Sequence, residues 1–300
     1  MALLLDAIAL MEIIAKDNHM NTFESGSWHQ NKHPSAIDFN ELVEAFRSSP
    51  YPSLKLTNYF KIYADTFRHL RNTPCTFIET GILNGGSLFM WRKWLGAQAR
   101  IIGVDLNPEA KKWEAHGFEI HIGDQGDPEF WQKFYTRVGK FDAMLDDGGH
   151  QSFQQIVTAT EAIRHAHEKC VVVIEDTHSN FMQEFSRHRN HSFLEYAKDA
   201  TDILLMPHSQ LFPNQFPPID NMEVVALFKK VHSMEFFTGL VAFKINPVAE
   251  LPSQLVWNTK PLKSASDFRY HGVDSATTIW PDPFSKKAVT IFGGKSPSNK

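Results

Sequence analysis

The chain has 300 residues, with 30 Lys and Arg against 34 Asp and Glu, a net charge of −4, and 42% hydrophobic residues. That length supports a full core in one large domain with additions. The slightly acidic balance excludes a partner held by bulk positive charge, nucleic acid above all, and favours small-molecule partners.

In chain order, residues 3 to 16 read as an amphipathic helix. Asp6 and Glu12 interrupt the apolar start, and neither a basic region nor a small-residue cleavage pattern follows. From Asn18 to Pro52 the sequence is polar and irregular, with Gly26, Pro34, Pro50 and Pro52. Residues 1–52 are therefore expected to form an extension that wraps the domain without entering its core. His29 and His33 have the i, i+4 spacing of helical metal ligands, but Pro34 disfavours a helix continuing there. A helix is predicted from Leu56 to Leu70, with Tyr59, Phe60, Tyr63 and Phe67 at helical spacing. That stripe reads as core, although Tyr59 or Tyr63 can also reach a cofactor.

Strands are then predicted at Thr76–Glu79, Arg100–Asp105, Glu119–Ile122, Ala143–Asp146 and Val171–Glu175. Helices alternate with them at Ser87–Leu95, Pro108–His116, Pro128–Val138 and Phe153–His167. The rhythm predicts an α/β fold, a doubly wound, mostly parallel sheet. Val224–Val231 and Phe236–Ile245 are expected to close it as a terminal antiparallel hairpin. Residues 177–221, rich in His, Phe, Asn and Pro, are too long for a plain connection and are expected to form a lid. The domain is thus placed at 53–246, with 247–300 as a C-terminal extension. Cys75 and Cys170 lack disulfide or thiolate-zinc spacing, so buried thiols in a reducing cytoplasm are expected. No apolar run reaches the roughly 18 residues that span a bilayer, so no membrane partner is expected, and a homo-oligomer stays open.

The most informative stretch is Phe141-Asp142-Ala143-Met144-Leu145-Asp146-Asp147-Gly148-Gly149-His150, an apolar run feeding carboxylates, glycines and an imidazole. A second strand ends as abruptly in Glu175-Asp176, and parallel strands discharge their carboxyl ends onto one edge. Carboxylates this close repel one another, which points to a bound cation. All-oxygen ligands favour magnesium, manganese or calcium over zinc. The alternative is a plain turn in which the aspartates bond nearby amides.

After the first strand, Thr80-Gly81-Ile82-Leu83-Asn84-Gly85-Gly86-Ser87 brings backbone amides and a helix start close to a ligand. It is not the dinucleotide fingerprint G-x-G-x-x-G. Asp105 ends the next strand where a ribose-hydroxyl acceptor is expected, and Gly123-Asp124-Gln125-Gly126-Asp127 adds an acidic turn after the third. Together these fit a nucleoside pocket without a pyrophosphate site.

The segments FIETGILNGGSLFMW, IIGVDLN, IHIGDQGD, FDAMLDDGGH and VVVIEDTHSNF resemble class I S-adenosylmethionine-dependent methyltransferases. More narrowly, they resemble the metal-dependent sugar O-methyltransferases of macrolide biosynthesis, over about Leu56 to Ile245. The resemblance implies a Rossmann-like methyltransferase fold with seven strands. It also implies that Glu79, Gly81, Asp105 and Asp124 line the S-adenosylmethionine pocket, with Ser87, Tyr63 and Asp146 beside them. It further implies that Asp147, Glu175 and Asp176 coordinate Mg2+ and that His150 is the catalytic base. The expected activity is O-methyl transfer to a hydroxyl of a sugar or glycosylated small molecule. Gly149 and Gly126 stand where the family pattern usually has serine. A different metal-dependent enzyme on the same scaffold, or a non-catalytic subunit, are the alternatives.

Overall fold

A computed structural model describes residues 34–185, 192–205 and 222–245. Its centre is a seven-stranded sheet of order β3-β2-β1-β4-β5-β7-β6, with β1 Thr76–Thr80, β2 Arg100–Asp105, β3 Glu119–Ile122, β4 Ala143–Asp146, β5 Cys170–Ile174, β6 Val231–Phe237 and β7 Leu240–Ile245. The first five strands pair in parallel, and β7 lies antiparallel between β5 and β6.

Apolar residues on both sides of each central strand make the sheet a two-faced core, because successive side chains point to opposite faces. Phe77, Ile101, Leu145 and Val173 enter one apolar cluster, and Ile78, Ile102, Met144 and Val172 the other. The first face is covered by α1 Pro34–Arg47, α2 Tyr59–Phe67 and α3 Gly86–Leu95. The second is covered by α4 Pro128–Val138, α5 Ser152–His165, α6 Phe193–Leu205 and α7 Met222–Phe228. The strand order reverses between β1 and β4, where Thr80 pairs with Asp146 at the carboxyl ends. Crevices at such points are where open α/β sheets bind ligands.

Four expectations are corrected. The stretch expected to wrap the domain contains α1, whose Leu42, Val43 and Ala45 are buried in the first cluster. Pro34 opens that helix, a position where its missing N–H costs nothing. The predicted strand at 224–231 is α7 instead, with Val224, Leu227 and Phe228 turned to the second cluster at helical spacing. The hairpin turn accordingly falls at Thr238-Gly239, with Gly239 at φ +85°, between Phe237 and Leu240, a two-residue loop.

The predicted lid is in part core. Within it, α6 buries Phe193, Ala197 and Ala200, and Asn180 Oδ1 accepts from the Phe193 amide at 2.8 Å. Residues 108–116 adopt a 3-10 helix, and Arg68–Leu70 a short 3-10 turn after α2. Cys75 and Cys170 are free and buried. Among the described residues, no helix is long and apolar enough to cross a membrane. The helix expected at 3–16 and the pair His29 and His33 lie outside the described residues.

Candidate active site

The carboxyl ends of β1, β4 and β5 meet at one edge. Glu175 N donates to Asp146 O at 2.9 Å, and Asp147 N to Thr80 O at 3.0 Å, so the three strand ends are laced together just where the acidic residues begin. Gly81, at φ +82°, permits the closest approach: a Cβ there would lie 2.7 Å from Asp147 C and from Gly148 Cα, and closer still to the Asp147 carbonyl oxygen.

Asp147, His150 and Asp176 each offer one ligand atom, and these atoms lie within 4.8 Å of one another. All three side chains are part-exposed, and His150 Nε2 stands 3.5 Å from Asp176 Oδ2. His150 and Asp176 hold left-handed backbone conformations, φ +55° and +53°. Such strain in non-glycine residues persists only where the surroundings hold it, often at functional sites. Here Ser179 Oγ donates to the His150 carbonyl at 3.0 Å. Two carboxylates and an imidazole converging this closely fit a divalent metal, and the oxygen donors favour a hard one.

Glu175 stands behind that group, not in it. Its side chain is 2% exposed, receives the Tyr63 hydroxyl, and lies 3.3 Å from Lys55 Nζ. Lys55 also bonds Asp147 and lies 3.9 Å from Glu79. Burial alone would lower the Lys55 pKa, but Asp147, Glu175 and Glu79 more than reverse this, so it remains an ammonium. Burial raises the Glu175 and Asp147 pKa values, their mutual repulsion adds to that of Glu175, and Lys55 opposes both shifts. Tyr59 donates to Asp176 at 2.6 Å. Both phenols are pushed upward, first by burial and then by the carboxylates, and so stay donors.

Beside this cluster, the turn after β1 is tied to the end of β2. Asp105 Oδ2 accepts from Ile82 N at 2.9 Å and Leu83 N at 3.2 Å, and Oδ1 accepts from Asn107 N at 2.8 Å. A carboxylate has about four lone-pair sites, so capacity remains for a ligand hydroxyl. Leu83 and Leu106, 55% and 63% exposed, set apolar surface next to it. Asp124 caps its own turn, accepting from Gly126 N at 2.7 Å. This edge fits a nucleoside.

Four residues expected at the pocket wall support it from behind instead. Glu79 is fully buried, accepting from Ser87 Oγ at 2.7 Å and Trp91 Nε1 at 3.1 Å, and burial lifts its pKa to about 7 against the pull of Lys55. Ser87 is thereby turned inward, and Tyr63 is spent on Glu175. Asp146 is 2% exposed and accepts from Gln125 Nε2 at 2.9 Å and Gly148 N at 3.1 Å, with burial raising its pKa to about 6. The reason is common to all four: the carboxylates accept from, and the hydroxyls donate to, buried partners, which leaves almost no surface for a ligand.

The chain matches no protein-family model. It is 30% identical over 148 residues to demethylmacrocin O-methyltransferase of Streptomyces fradiae, covering 46% of this chain and 36% of that protein. It is 25% identical over 207 residues to mycinamicin VI 2''-O-methyltransferase of Micromonospora griseorubida, covering 63% of this chain and 50% of that protein. The chain thus spans half or less of these relatives' length. Among solved structures, the MycE methyltransferase of the mycinamycin biosynthetic pathway, in complex with Mg and SAH, superposes with a TM-score of 0.58 at 21% identity, over 70% of this chain and 54% of that one. The chain has a methyltransferase fold. The resemblance to macrolide and sugar O-methyltransferases stands at the level of sequence as well.

Against that methyltransferase background, two residues that sequence reasoning passed over carry much of the geometry. Gln125 clamps the β4 turn, its Nε2 on Asp146 and its Oε1 accepting from Gly149 N at 2.7 Å. Its place inside the acidic turn was the available signal. Lys55 precedes Tyr59 and Tyr63 by four and eight residues but lies in the irregular segment before the helix that begins at Tyr59, where no periodicity marks it. The two departures from the family's serine pattern also have local causes. A Cβ at Gly149 would stand 3.0 Å from Gln154 Cδ with Gln154 Oε1 closer, and one at Gly126 would stand 2.6 Å from the Phe153 ring.

Proposed function

We propose that this chain is an S-adenosylmethionine- and Mg2+-dependent O-methyltransferase acting on a hydroxyl of a sugar or glycosylated small molecule. The observation that carries this reading is the convergence of Asp147, His150 and Asp176 at a sheet edge shared with the Gly81 and Asp105 nucleoside turn. The relatives named above are by name O-methyltransferases of demethylmacrocin and mycinamicin VI, and a further relative of Streptomyces olivaceus is a 3'-O-methyltransferase of a rhamnosyl-tetracenomycin, which supports the acceptor class.

S-adenosylmethionine supplies an electrophilic sulfonium methyl, so the remaining difficulty is a poorly nucleophilic hydroxyl. Asp147 and Asp176, with Glu175 behind them, would hold a divalent cation, whose charge would lower the acceptor's pKa. His150 takes the hydroxyl proton as the C–O bond forms and the C–S bond breaks, giving a methyl ether and a thioether. Asp176, facing Nε2, stabilises the imidazolium. Asp105 and the backbone of the turn after β1 hold the nucleoside, and Tyr59 orients Asp176.

The test is methyl transfer from labelled S-adenosylmethionine to a panel of macrolide glycosides, with Mg2+ or with chelator. Transfer should require the metal. His150→Ala should lower turnover by about 10² to 10⁴ while S-adenosylhomocysteine affinity is retained. A chain that binds no S-adenosylhomocysteine is not a methyltransferase, and full turnover in chelator would remove the metal from the reading.

A further inference from the structure

Three donors on one short stretch, Lys55, Tyr59 and Tyr63, stand four residues apart, and each reaches a carboxylate at the β4 and β5 edge. The two phenols satisfy lone pairs but cancel no charge. Lys55 does. Its side chain is 1% exposed, bonded to Asp147, 3.3 Å from Glu175 and 3.9 Å from Glu79. Burying a long ammonium sacrifices its hydration and rotamer freedom, and only close carboxylates offset that.

We propose that Lys55 is a built-in counter-ion to Asp147 and Glu175 that competes with a divalent cation for Asp147. It lets the edge fold without metal and limits how tightly metal binds. The proposal rests on the metal half of the reading above and not on methyl transfer. The physical reason is mutual exclusion: an ammonium and a divalent ion on the same carboxylate repel across a partly desolvated gap, where a unit charge matters far more than in water. Asp176 is engaged instead by the Tyr59 hydroxyl at 2.6 Å, and His150 Nε2 faces it at 3.5 Å.

The experiment uses the full chain as wild type, Lys55→Met and Lys55→Arg. Mn2+ affinity is read by calorimetry, melting temperature in chelator and in excess Mg2+, and S-adenosylhomocysteine affinity on the same samples. Lys55→Met should bind Mn2+ at least about tenfold more tightly than wild type. Its melting temperature should drop in chelator and recover with Mg2+. Wild type and Lys55→Arg, which keep the charge, should stay folded in chelator and gain less in melting temperature with Mg2+ than Lys55→Met does. Mn2+ binding by Lys55→Met no tighter than wild type overturns the proposal. So does a Lys55→Met chain that folds in neither condition, since a divalent ion should replace the lost charge. A wild type whose melting temperature rises with Mg2+ as much as that of Lys55→Met also overturns it. Normal S-adenosylhomocysteine binding in any of these cases leaves the methyltransferase reading intact, and its absence in wild type removes that reading instead.

Discussion

Replacing Gly81 by alanine should be among the most damaging small changes available to this chain. The residue sits at φ +82°, and a Cβ there would stand 2.7 Å from Asp147 C and Gly148 Cα, with the Asp147 carbonyl oxygen nearer. The left-handed conformation costs an L-residue about 1–2 kcal/mol. The collision is with backbone, which cannot rotate away, so overpacking adds about 1–3 kcal/mol. The total, about 2–5 kcal/mol, corresponds to a melting temperature lowered by roughly 5–20 °C for a domain of this size. Gly117→Ala is the control: φ there is +81°, but the nearest atom, Arg92 Nη1, is 3.9 Å away, so only the conformational cost applies. Thermal and urea melts of the two variants isolate the collision by difference. Because the Asp147 amide donates to Thr80 O, the displaced backbone should also carry the Asp147 carboxylate off its position and weaken Mn2+ binding. If Gly81→Ala melts no lower than Gly117→Ala, the close passage of the β1 and β4 ends is not as described.

Two further outcomes follow from the carboxylates at the strand ends. Glu79, fully buried, has its pKa lifted by burial from 4.5 to about 7. Its folded form therefore keeps a proton that the unfolded chain releases, so its contribution favours folding below pH 4.5 and is lost as pH rises toward 7. Glu79→Gln should remove that slope, gaining up to roughly 3 kcal/mol relative to wild type between acidic and neutral pH, as read by urea unfolding at both; parallel curves would show that Glu79 does not titrate there. Asp105→Ala frees the Ile82, Leu83 and Asn107 amides and removes the proposed ribose acceptor. With about 1.5–3 kcal/mol for a hydrogen bond to a charged group, S-adenosylhomocysteine affinity should fall about 10- to 150-fold by calorimetry, and unchanged affinity would dismiss Asp105 as a ligand residue.

Much of the architecture was legible because its causes are local. Short apolar strands with Asp or Glu at or just beyond their carboxyl ends specify buried parallel strands and an acidic carboxyl edge whatever the rest of the chain does. The convergence of Asp147, His150 and Asp176 follows from that pattern together with the rule that parallel strands share an edge. Periodicity was weaker where a short apolar run fits two templates: Val224-Val225-Ala226-Leu227-Phe228 reads as strand or helix, and packing against the second core cluster decided for helix. Composition likewise misjudged α1 and α6. Prolines and polar residues around each suggested surface chain, while their small apolar faces, Leu42 to Ala45 and Phe193 to Ala200, suffice to join the core.

The sequence by itself determined that carboxylates and an imidazole would gather at one edge of a doubly wound sheet beside a glycine-bearing turn. Only the tertiary structure decided which of those groups face outward and which are held inside. Glu79 and Asp146 look like pocket residues in the sequence, yet each is claimed by donors brought in by folding, Ser87 and Trp91 for one and Gln125 for the other. Lys55 meets Asp147 across 92 residues of chain and Glu175 across 120. Charge balance at a buried site is a property of distances of a few ångströms, which pattern along the chain does not encode. It emerges when α2 and the segment leading into it dock on the strand ends, bringing Tyr59, Tyr63 and Lys55 to carboxylates that water no longer reaches freely.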